Sequence, residues 1–230
     1  MSAGGPATTP RQQAREVLGD VAWGRLALWW AASFAVGAVL GLLFMASGWW
    51  TEGADWERAL LALVQQTVNP YLDPILLWVP YLGTNYSLAP ITAVAAFWLW
   101  RHERHAAMLH LVAIQLGSWA LNPALKLVLA RPRPELYELR GQYALPAYPS
   151  GHSIAVTSVL FTAAYLIHRS GYGTWAYWVA AAIFVVNTYS RLYLAVHWPT
   201  DVVGGTAVGL IWLVAGLVVF EPVHRRHTRA

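Results

Sequence analysis

Long apolar stretches separated by short polar segments dominate this chain. Six of these stretches approach the length of about 20 residues that an α-helix needs to cross the hydrocarbon core of a bilayer. The predicted spans are Leu26 to about Met45, Ile75 to Trp100, Ala106 to Leu129, Ser150 to Ile167, Thr174 to Tyr189 and Val202 to Phe220. The second stretch contains Pro80 and Pro90, so its crossing is expected mainly from Tyr86 onward. The pattern predicts an all-α, integral membrane bundle of six transmembrane helices.

The segments outside these spans are polar or too short to cross a bilayer. Residues 1–22 are expected to form a cytoplasmic, disordered tail, residues 23–222 the six-span domain, and residues 223–230 a basic cytoplasmic tail. Residues 51–73 carry several charges ahead of a short apolar run, which is typical of a helix that lies along the membrane surface. Short interfacial helices are therefore predicted there, on the extracytoplasmic side.

Composition supports a membrane protein and narrows the possible chemistry. Charged residues make up only 11% of the 230 residues, too few for an ordinary soluble domain. The chain has no cysteine, which excludes disulfides, thiolate metal sites and cysteine nucleophiles. Serine, threonine, histidine or a carboxylate remain as covalent catalysts. A net charge of +4 is too small to suggest a nucleic acid as partner.

The basic residues are divided unevenly between the two sides of the predicted membrane. Six spans place both termini on one side, together with most of the arginines. On the other side, nearly all basic residues lie in or beside three short motifs. Because basic residues favour the cytoplasmic side, the termini are predicted to be cytoplasmic. The motifs are then extracytoplasmic, at the membrane surface.

The first motif joins two cations at the end of the third span. Lys126, the single lysine of the chain, precedes Arg133 by seven positions. Two helical turns, or one turn and a bend, would bring both head groups to one pocket. Fixed cations stabilise the negative charge that spreads over the oxygens of a phosphoryl group in its transition state. Snorkelling of helix-end cations is the alternative that this motif leaves open.

The second motif, residues 149–152, reads Pro-Ser-Gly-His and precedes the fourth span. Ser150 suits a helix N-cap, Gly151 lets the backbone approach a ligand, and the free N–H groups of the first turn attract an anion. His152 is placed to protonate a leaving oxygen. A plain helix cap with an incidental histidine is the alternative.

The third motif runs from residue 190 to residue 201. It contains Arg191, a third cation, and it ends with His197 and Asp201, four positions apart. A carboxylate at this spacing can hold the Nδ1 proton of the imidazole, which leaves the Nε2 lone pair free to attack phosphorus. The product would be a phosphohistidine intermediate. A structural His–Asp pair is the alternative for this motif alone.

Together, the three motifs resemble the signature of the type 2 phosphatidic acid phosphatase superfamily, the membrane lipid phosphate phosphatases, which share it with vanadium haloperoxidases. All three match in residue type and spacing, and the resemblance extends from about Tyr71 to Phe220. It implies a six-span lipid phosphatase domain that opens at the outer leaflet and works without a metal or other cofactor. It implies His197 as nucleophile, Asp201 as its partner and His152 as acid. The phosphate-binding residues that it implies are Lys126, Arg133, Ser150, Gly151 and Arg191.

The resemblance also implies a membrane lipid phosphate as substrate and a bacterial inner or plasma membrane as location. Undecaprenyl or another polyprenyl diphosphate is the first expectation, followed by phosphatidic acid or phosphatidylglycerophosphate. A lipid phosphotransferase is an alternative, because an alcohol can attack a phosphohistidine in place of water. The predicted spans argue against a soluble haloperoxidase, and a transporter or scaffold would not need a His–Asp pair opposite a second histidine.

Two arginines near the motifs lie outside the signature. Arg131 and Arg140 are expected to be loop charges rather than contacts to a lipid headgroup. The sequence assigns neither a role for residues 51–85 nor an oligomeric state.

Overall fold

The computed structural model describes residues 9–137 and 145–227, and in this part of the chain helices are joined by loops without any strand. The helices are α1 (Pro10–Asp20), α2 (Trp23–Ala46), α3 (Asp55–Gln65), α4 (Asp73–Trp78), α5 (Asn85–Arg101), α6 (His105–Leu129), α7 (Gly151–Arg169), α8 (Trp175–Tyr193) and α9 (Pro199–His227). A 3₁₀ turn, Val79–Gly83, continues α4, and a π-helical turn, Val156–Leu160, lies within α7. The prediction of an all-α fold is confirmed.

Among the described residues, four helices are long and apolar enough to cross a membrane: α2, α6, α7 and α9. They correspond to the first, third, fourth and sixth predicted spans. The helices in the second and fifth places, α5 with 17 residues and α8 with 19, fall outside these limits of length and apolar character. The count of six spans therefore stays a prediction.

The expectation of a disordered N-terminal tail is wrong for residues 10–20, which form α1. Thr9 and Gln12 make a capping box, in which each side chain accepts a hydrogen bond from the backbone N–H of the other, at 3.3 and 2.8 Å. Asp20 contacts His227 Nε2 at 2.8 Å, at the end of α9, and this hydrogen bond lowers the pKa of Asp20. The polar N-terminal segment therefore contains a capped helix that contacts the distant end of α9. The predicted domain boundary at residue 222 falls inside α9.

The central helix of the bundle is α9, which packs against α2, α6 and α7. Trp212 is buried on α9, and its Nε1 donates to the carbonyl oxygen of Ile114 on α6 at 2.9 Å. Where α9 crosses the start of α7, a Cβ at Gly205 would lie 2.4 Å from the carbonyl oxygen of Ser150. Only glycine allows the two backbones to approach this closely.

The end of the bundle where α6 stops and α7 and α9 begin, which we call the site end, is covered by α3 and α4. Leu61 of α3 packs in one apolar cluster with Tyr193 and Trp198. The Nε2 of Gln65 donates to the carbonyl oxygens of Leu192 and Tyr193 at 3.1 and 3.0 Å. The segment that contains α3 therefore lies over the loop of the third motif.

Candidate active site

The two cations of the first motif reach neighbouring loops at the site end. Lys126 is buried in the last turn of α6, and its Nζ donates to the carbonyl oxygens of residues 146 and 147, the latter at 2.9 Å. Arg133 donates from Nη2 to the carbonyl oxygen of Leu145 at 2.9 Å, and from Nη1 to that of Val196. Both cations thus contact the segment that precedes the second motif, and Arg133 also touches the residue before His197.

The second motif is held between α6 and α9. Ser150 caps α7, since its Oγ accepts a hydrogen bond from the backbone N–H of Ser153 at 3.4 Å. The backbone N–H of Ser150 donates to the carbonyl oxygen of Asp201 at 2.9 Å. A Cβ at Gly151 would lie 2.6 Å from the side chain of Asn122 on α6. Asn122 is a neighbour that the motif spacing did not reveal.

The third motif forms the turn between α8 and α9. Nδ1 of His197 lies 3.3 Å from Oδ2 of Asp201, in the first turn of α9. The same oxygen accepts a hydrogen bond from the backbone N–H of Trp198 at 2.8 Å. Asp201 is fully buried, and His197 is 3% exposed. The structure therefore brings the histidine and the carboxylate together, as their spacing predicts.

Three cations surround the histidines. Burial, and after it the charges of Lys126, Arg133 and Arg191, hold the pKa of His197 well below its usual value. Nη1 of Arg191 lies 3.5 Å from Nε2 of His152, so the two histidine motifs meet at this arginine. The residues that the structure gathers at the site end are all eight of those predicted: Lys126, Arg133, Ser150, Gly151, His152, Arg191, His197 and Asp201.

The expectation that Arg131 is a loop charge is wrong. Its side chain is fully buried, and Nη1 donates to Oδ1 of Asp201 at 2.8 Å. Nη2 forms an ion pair with Oε2 of Glu57 at 3.4 Å, and both side chains are inaccessible to solvent. A buried guanidinium needs charged and polar partners of this kind, because its desolvation is costly. Arg140 lies outside the described residues.

Glu57 is a site neighbour that sequence reasoning missed. It lies in the first turn of α3, and it shares the buried face of that helix with Leu61 and Val64. These three residues follow the spacing of one face of an amphipathic helix, so this otherwise apolar face contains one carboxylate. A lone acid on an apolar stripe was the signal that could have found it.

Replacing Gly205 by alanine is expected to lower kcat/KM about 100-fold, a loss that a displacement near 1 Å can cause. The new Cβ would meet the Ser150 carbonyl oxygen at 2.4 Å, so the start of α7 must move. Overpacking of this kind also costs about 1–3 kcal/mol of stability. Phosphate release and thermal unfolding measure the two effects.

Gly24→Ala on α2 is the matched control, because a Cβ there meets nothing within 4 Å. This variant is expected to keep wild-type activity and stability. Wild-type kinetics for Gly205→Ala would show that the contact between α7 and α9 does not position the second motif.

Apolar helices of spanning length, with a His–Asp pair, a second histidine and three cations at one end, define the class of membrane-embedded phosphatases. The family model described as "PAP2 superfamily" matches residues 106–225. The chain belongs to this superfamily, whose members are phosphate-ester hydrolases, and the resemblance drawn from the motifs is confirmed.

Two curated relatives are similar over most of their length. Phosphatidylglycerophosphatase B of Bacillus subtilis is 29% identical over 155 residues, covering 64% of this chain and 76% of the relative. An undecaprenyl-diphosphatase of Sulfolobus acidocaldarius is 26% identical over 182 residues, covering 77% of this chain and 82% of the relative. The crystal structure of a transmembrane PAP2 type phosphatidylglycerolphosphate phosphatase from Bacillus subtilis has the same fold. Its TM-score is 0.72 at 23% identity, over 85% of this chain and 98% of that chain.

Proposed function

We propose that this protein hydrolyses the phosphate or diphosphate headgroup of a membrane lipid at the extracytoplasmic face, through a phosphohistidine on His197. The observation that carries the proposal is the hydrogen-bonded pair of His197 and Asp201, buried among three cations at the end of apolar helices. A neutral imidazole whose Nδ1 faces a carboxylate has its Nε2 available as nucleophile.

In the first step, the phosphoryl oxygens bind to Lys126, Arg133 and Arg191, and to the N–H groups at the start of α7. Binding exchanges the carbonyl contacts of Lys126 for phosphate oxygens. Nε2 of His197 attacks phosphorus, the bond from phosphorus to the leaving oxygen breaks, and His152 gives that oxygen a proton. Arg191 can only donate hydrogen bonds, so its turn towards the phosphate frees Nε2 of His152. This nitrogen takes up a proton from solvent before the step and gives that proton to the leaving oxygen.

In the second step, water attacks the phosphohistidine. His152 takes a proton from the water, the bond between phosphorus and Nε2 breaks, and inorganic phosphate leaves. Asp201 keeps the proton on Nδ1 throughout and offsets the positive charge of the phosphorylated imidazole. Because the three side-chain cations bind the phosphoryl oxygens, the proposal needs no divalent metal.

The proposed topology has six spans, cytoplasmic termini and the site end at the extracytoplasmic surface. Large aromatic side chains are exposed on the segments that surround the site end, as the belt at a membrane interface requires. These side chains are Trp56, Tyr71, Trp78, Tyr81 and Tyr86. The belt supports an interfacial position for α3 and α4, and in the proposed topology the cations lie near the depth of a lipid headgroup.

The proposed substrate is a polyprenyl diphosphate, with phosphatidic acid or phosphatidylglycerophosphate as the next choice. The two curated relatives support lipid phosphates of both kinds, since one is named an undecaprenyl-diphosphatase and the other a phosphatidylglycerophosphatase. The cations recognise the phosphoryl group that these lipids share, so they do not rank the lipids.

Phosphate release by the detergent-purified protein tests the function. The panel contains undecaprenyl diphosphate, phosphatidic acid and phosphatidylglycerophosphate, each with EDTA present. Release is expected, fastest for the diphosphate, and vanadate is expected to inhibit it as a mimic of five-coordinate phosphorus. Activity that disappears with EDTA would contradict the metal-free mechanism. Phosphate transferred to an added alcohol, without release, would identify a phosphotransferase instead.

The acid limb of the pH profile is expected to lie below the range of an ordinary histidine, about pH 6.5. The nucleophile must be neutral, and burial with the nearby cations lowers the pKa of His197. kcat/KM should therefore not decrease as the pH falls through 6.5, and it should decline only in more acidic buffer. Arg191→Gln removes one of these cations, so its acid limb is expected to move to higher pH.

The phosphate group of the substrate also binds a proton, at about pH 6. The profile is therefore measured with two substrates whose phosphate pKa values differ. The limb that stays at the same pH for both substrates belongs to the enzyme. An enzyme limb at the ordinary histidine value, unmoved by Arg191→Gln, would contradict the assignment of His197 as a nucleophile among cations.

A further inference from the structure

A guanidinium and a second carboxylate are buried directly behind the His–Asp pair. We propose that Arg131 and Glu57 are positioning residues for the reaction: Glu57 holds Arg131, and Arg131 holds the Asp201 carboxylate that orients His197. The inference rests on the proposed function, because it concerns the same histidine. Neither residue lies in the signature motifs, and neither is placed to touch the substrate.

Both oxygens of the Asp201 carboxylate are engaged. Oδ1 accepts a hydrogen bond from Nη1 of Arg131 at 2.8 Å. Oδ2 accepts from the backbone N–H of Trp198 at 2.8 Å, and it faces Nδ1 of His197 at 3.3 Å. A carboxylate held at each oxygen cannot rotate, so the direction in which it receives the imidazole proton is set. Removal of the Arg131 contact leaves Oδ1 of the Asp201 carboxylate without this hydrogen bond, so the carboxylate can rotate.

Arg131 is itself held from several directions. Its Nη1 also donates to Oγ1 of Thr200 at 2.6 Å, and Nη2 and Nε donate to the carbonyl oxygens of Trp49 and Trp50 at 2.6 and 3.1 Å. The guanidinium carbon lies 5.4 Å from the ring centroids of both Trp50 and Trp198. Charge-assisted bonds and two aromatic faces leave the guanidinium a single orientation.

Glu57 completes the group from the other side. Its Oε1 accepts from the backbone N–H and from Oγ1 of Thr200, at 3.0 and 2.6 Å. Its Oε2 accepts from the backbone N–H of Ala54 at 2.9 Å and from Nη2 of Arg131 at 3.4 Å. Replacing a buried ion pair by apolar residues of similar volume is often neutral or stabilising in proteins, so stability alone does not account for buried charges of this kind. Charges that end on the carboxylate beside the nucleophile therefore point to a use in the reaction.

The test compares Glu57→Gln, Arg131→Met and the double variant, with p-nitrophenyl phosphate and the best lipid of the panel. Arg131→Met is expected to lower kcat about 100-fold, and Glu57→Gln about 10-fold, because a poorly oriented nucleophile reacts slowly. KM should stay within about twofold, since the three phosphate-binding cations are unchanged. The double variant should be no slower than Arg131→Met, because Glu57 acts through Arg131.

The matched control is the ion pair between Arg169 and Glu221, 3.0 Å apart near the end of α9 that is remote from the site. Arg169→Met and Glu221→Gln delete the same groups and are expected to keep wild-type kcat. If Arg131→Met does not fold, Glu57→Gln and Thr200→Val decide the question. Thr200→Val keeps both charges but removes the hydroxyl that contacts each, and a kcat about fivefold lower at constant KM is expected.

The outcomes separate this inference from the proposed function. A wild-type protein without phosphatase activity, or as active as His197→Ala, would overturn both. An active wild type with an inactive His197→Ala, but with Glu57→Gln and Thr200→Val at wild-type kcat, would overturn the positioning role alone. Losses of kcat that add up in the double variant would also overturn the positioning role, because they would indicate two independent structural effects.

Discussion

His197→Ala is expected to lower phosphate release about 10⁴-fold or more, because the variant has no atom that can accept the phosphoryl group. The side chain is 3% exposed and surrounded by cations that hold the imidazole neutral. Of the two histidines at the site, His197 is the one whose Nδ1 faces a carboxylate. Rapid alkaline quenching with radiolabelled substrate should trap a phosphoenzyme in the wild type and none in the variant.

His105→Ala is the matched control for this change. His105 is also buried, at 2% exposed, and in the described part of the chain neither of its ring nitrogens has a hydrogen-bond partner. It begins α6 at the end remote from the site, so its removal should leave kcat and the trapped phosphoenzyme unchanged. A His197→Ala variant that still forms the phosphoenzyme would overturn the assignment of the nucleophile.

Asp201→Asn is expected to lower kcat about 10³-fold or more with little change in KM. The change preserves shape but puts an amide donor near Nδ1 of His197, which favours the tautomer with its proton on Nε2. In a Ser-His-Asp protease the same change lowers kcat about 10⁴-fold for this reason. The amide also removes the charge that pairs with Arg131 at 2.8 Å. Steady-state kinetics beside thermal unfolding separate slow chemistry from loss of fold.

Asp20→Asn provides the comparison. Asp20 contacts His227 Nε2 at 2.8 Å and Arg226 at 3.0 Å, so it too is a carboxylate between a histidine and an arginine. It joins α1 to the end of α9, remote from the site, and its asparagine variant should keep wild-type kcat. An Asp201→Asn variant that behaves like Asp20→Asn would show that the buried pair has only a structural role.

The helices could be predicted closely because apolar length and proline positions act locally. The third predicted span, residues 106–129, agrees with α6, and the fifth, residues 174–189, agrees with α8 apart from its last turn. Helix α1 was missed because its segment is polar and its partner residue in α9 lies 207 positions away. A short helix of this kind is stabilised by a contact between residues far apart in the sequence, which a local sequence pattern cannot reveal.

The candidate site also has a part that the sequence predicts and a part that it does not. The sequence by itself determined the apolar helices, the phosphatase family and which eight motif residues lie near one another, because each motif lies at a helix end or in the turn between two helices, where spacing decides which side chains meet. Only the tertiary structure decided what lies behind the nucleophile. Arg131 is 70 positions from Asp201 and 74 from Glu57, and no local pattern pairs them. They meet because the packing of α3 against α9 brings Glu57 and Asp201 close to the buried guanidinium of Arg131. A buried charge is stable only when an opposite charge lies beside it.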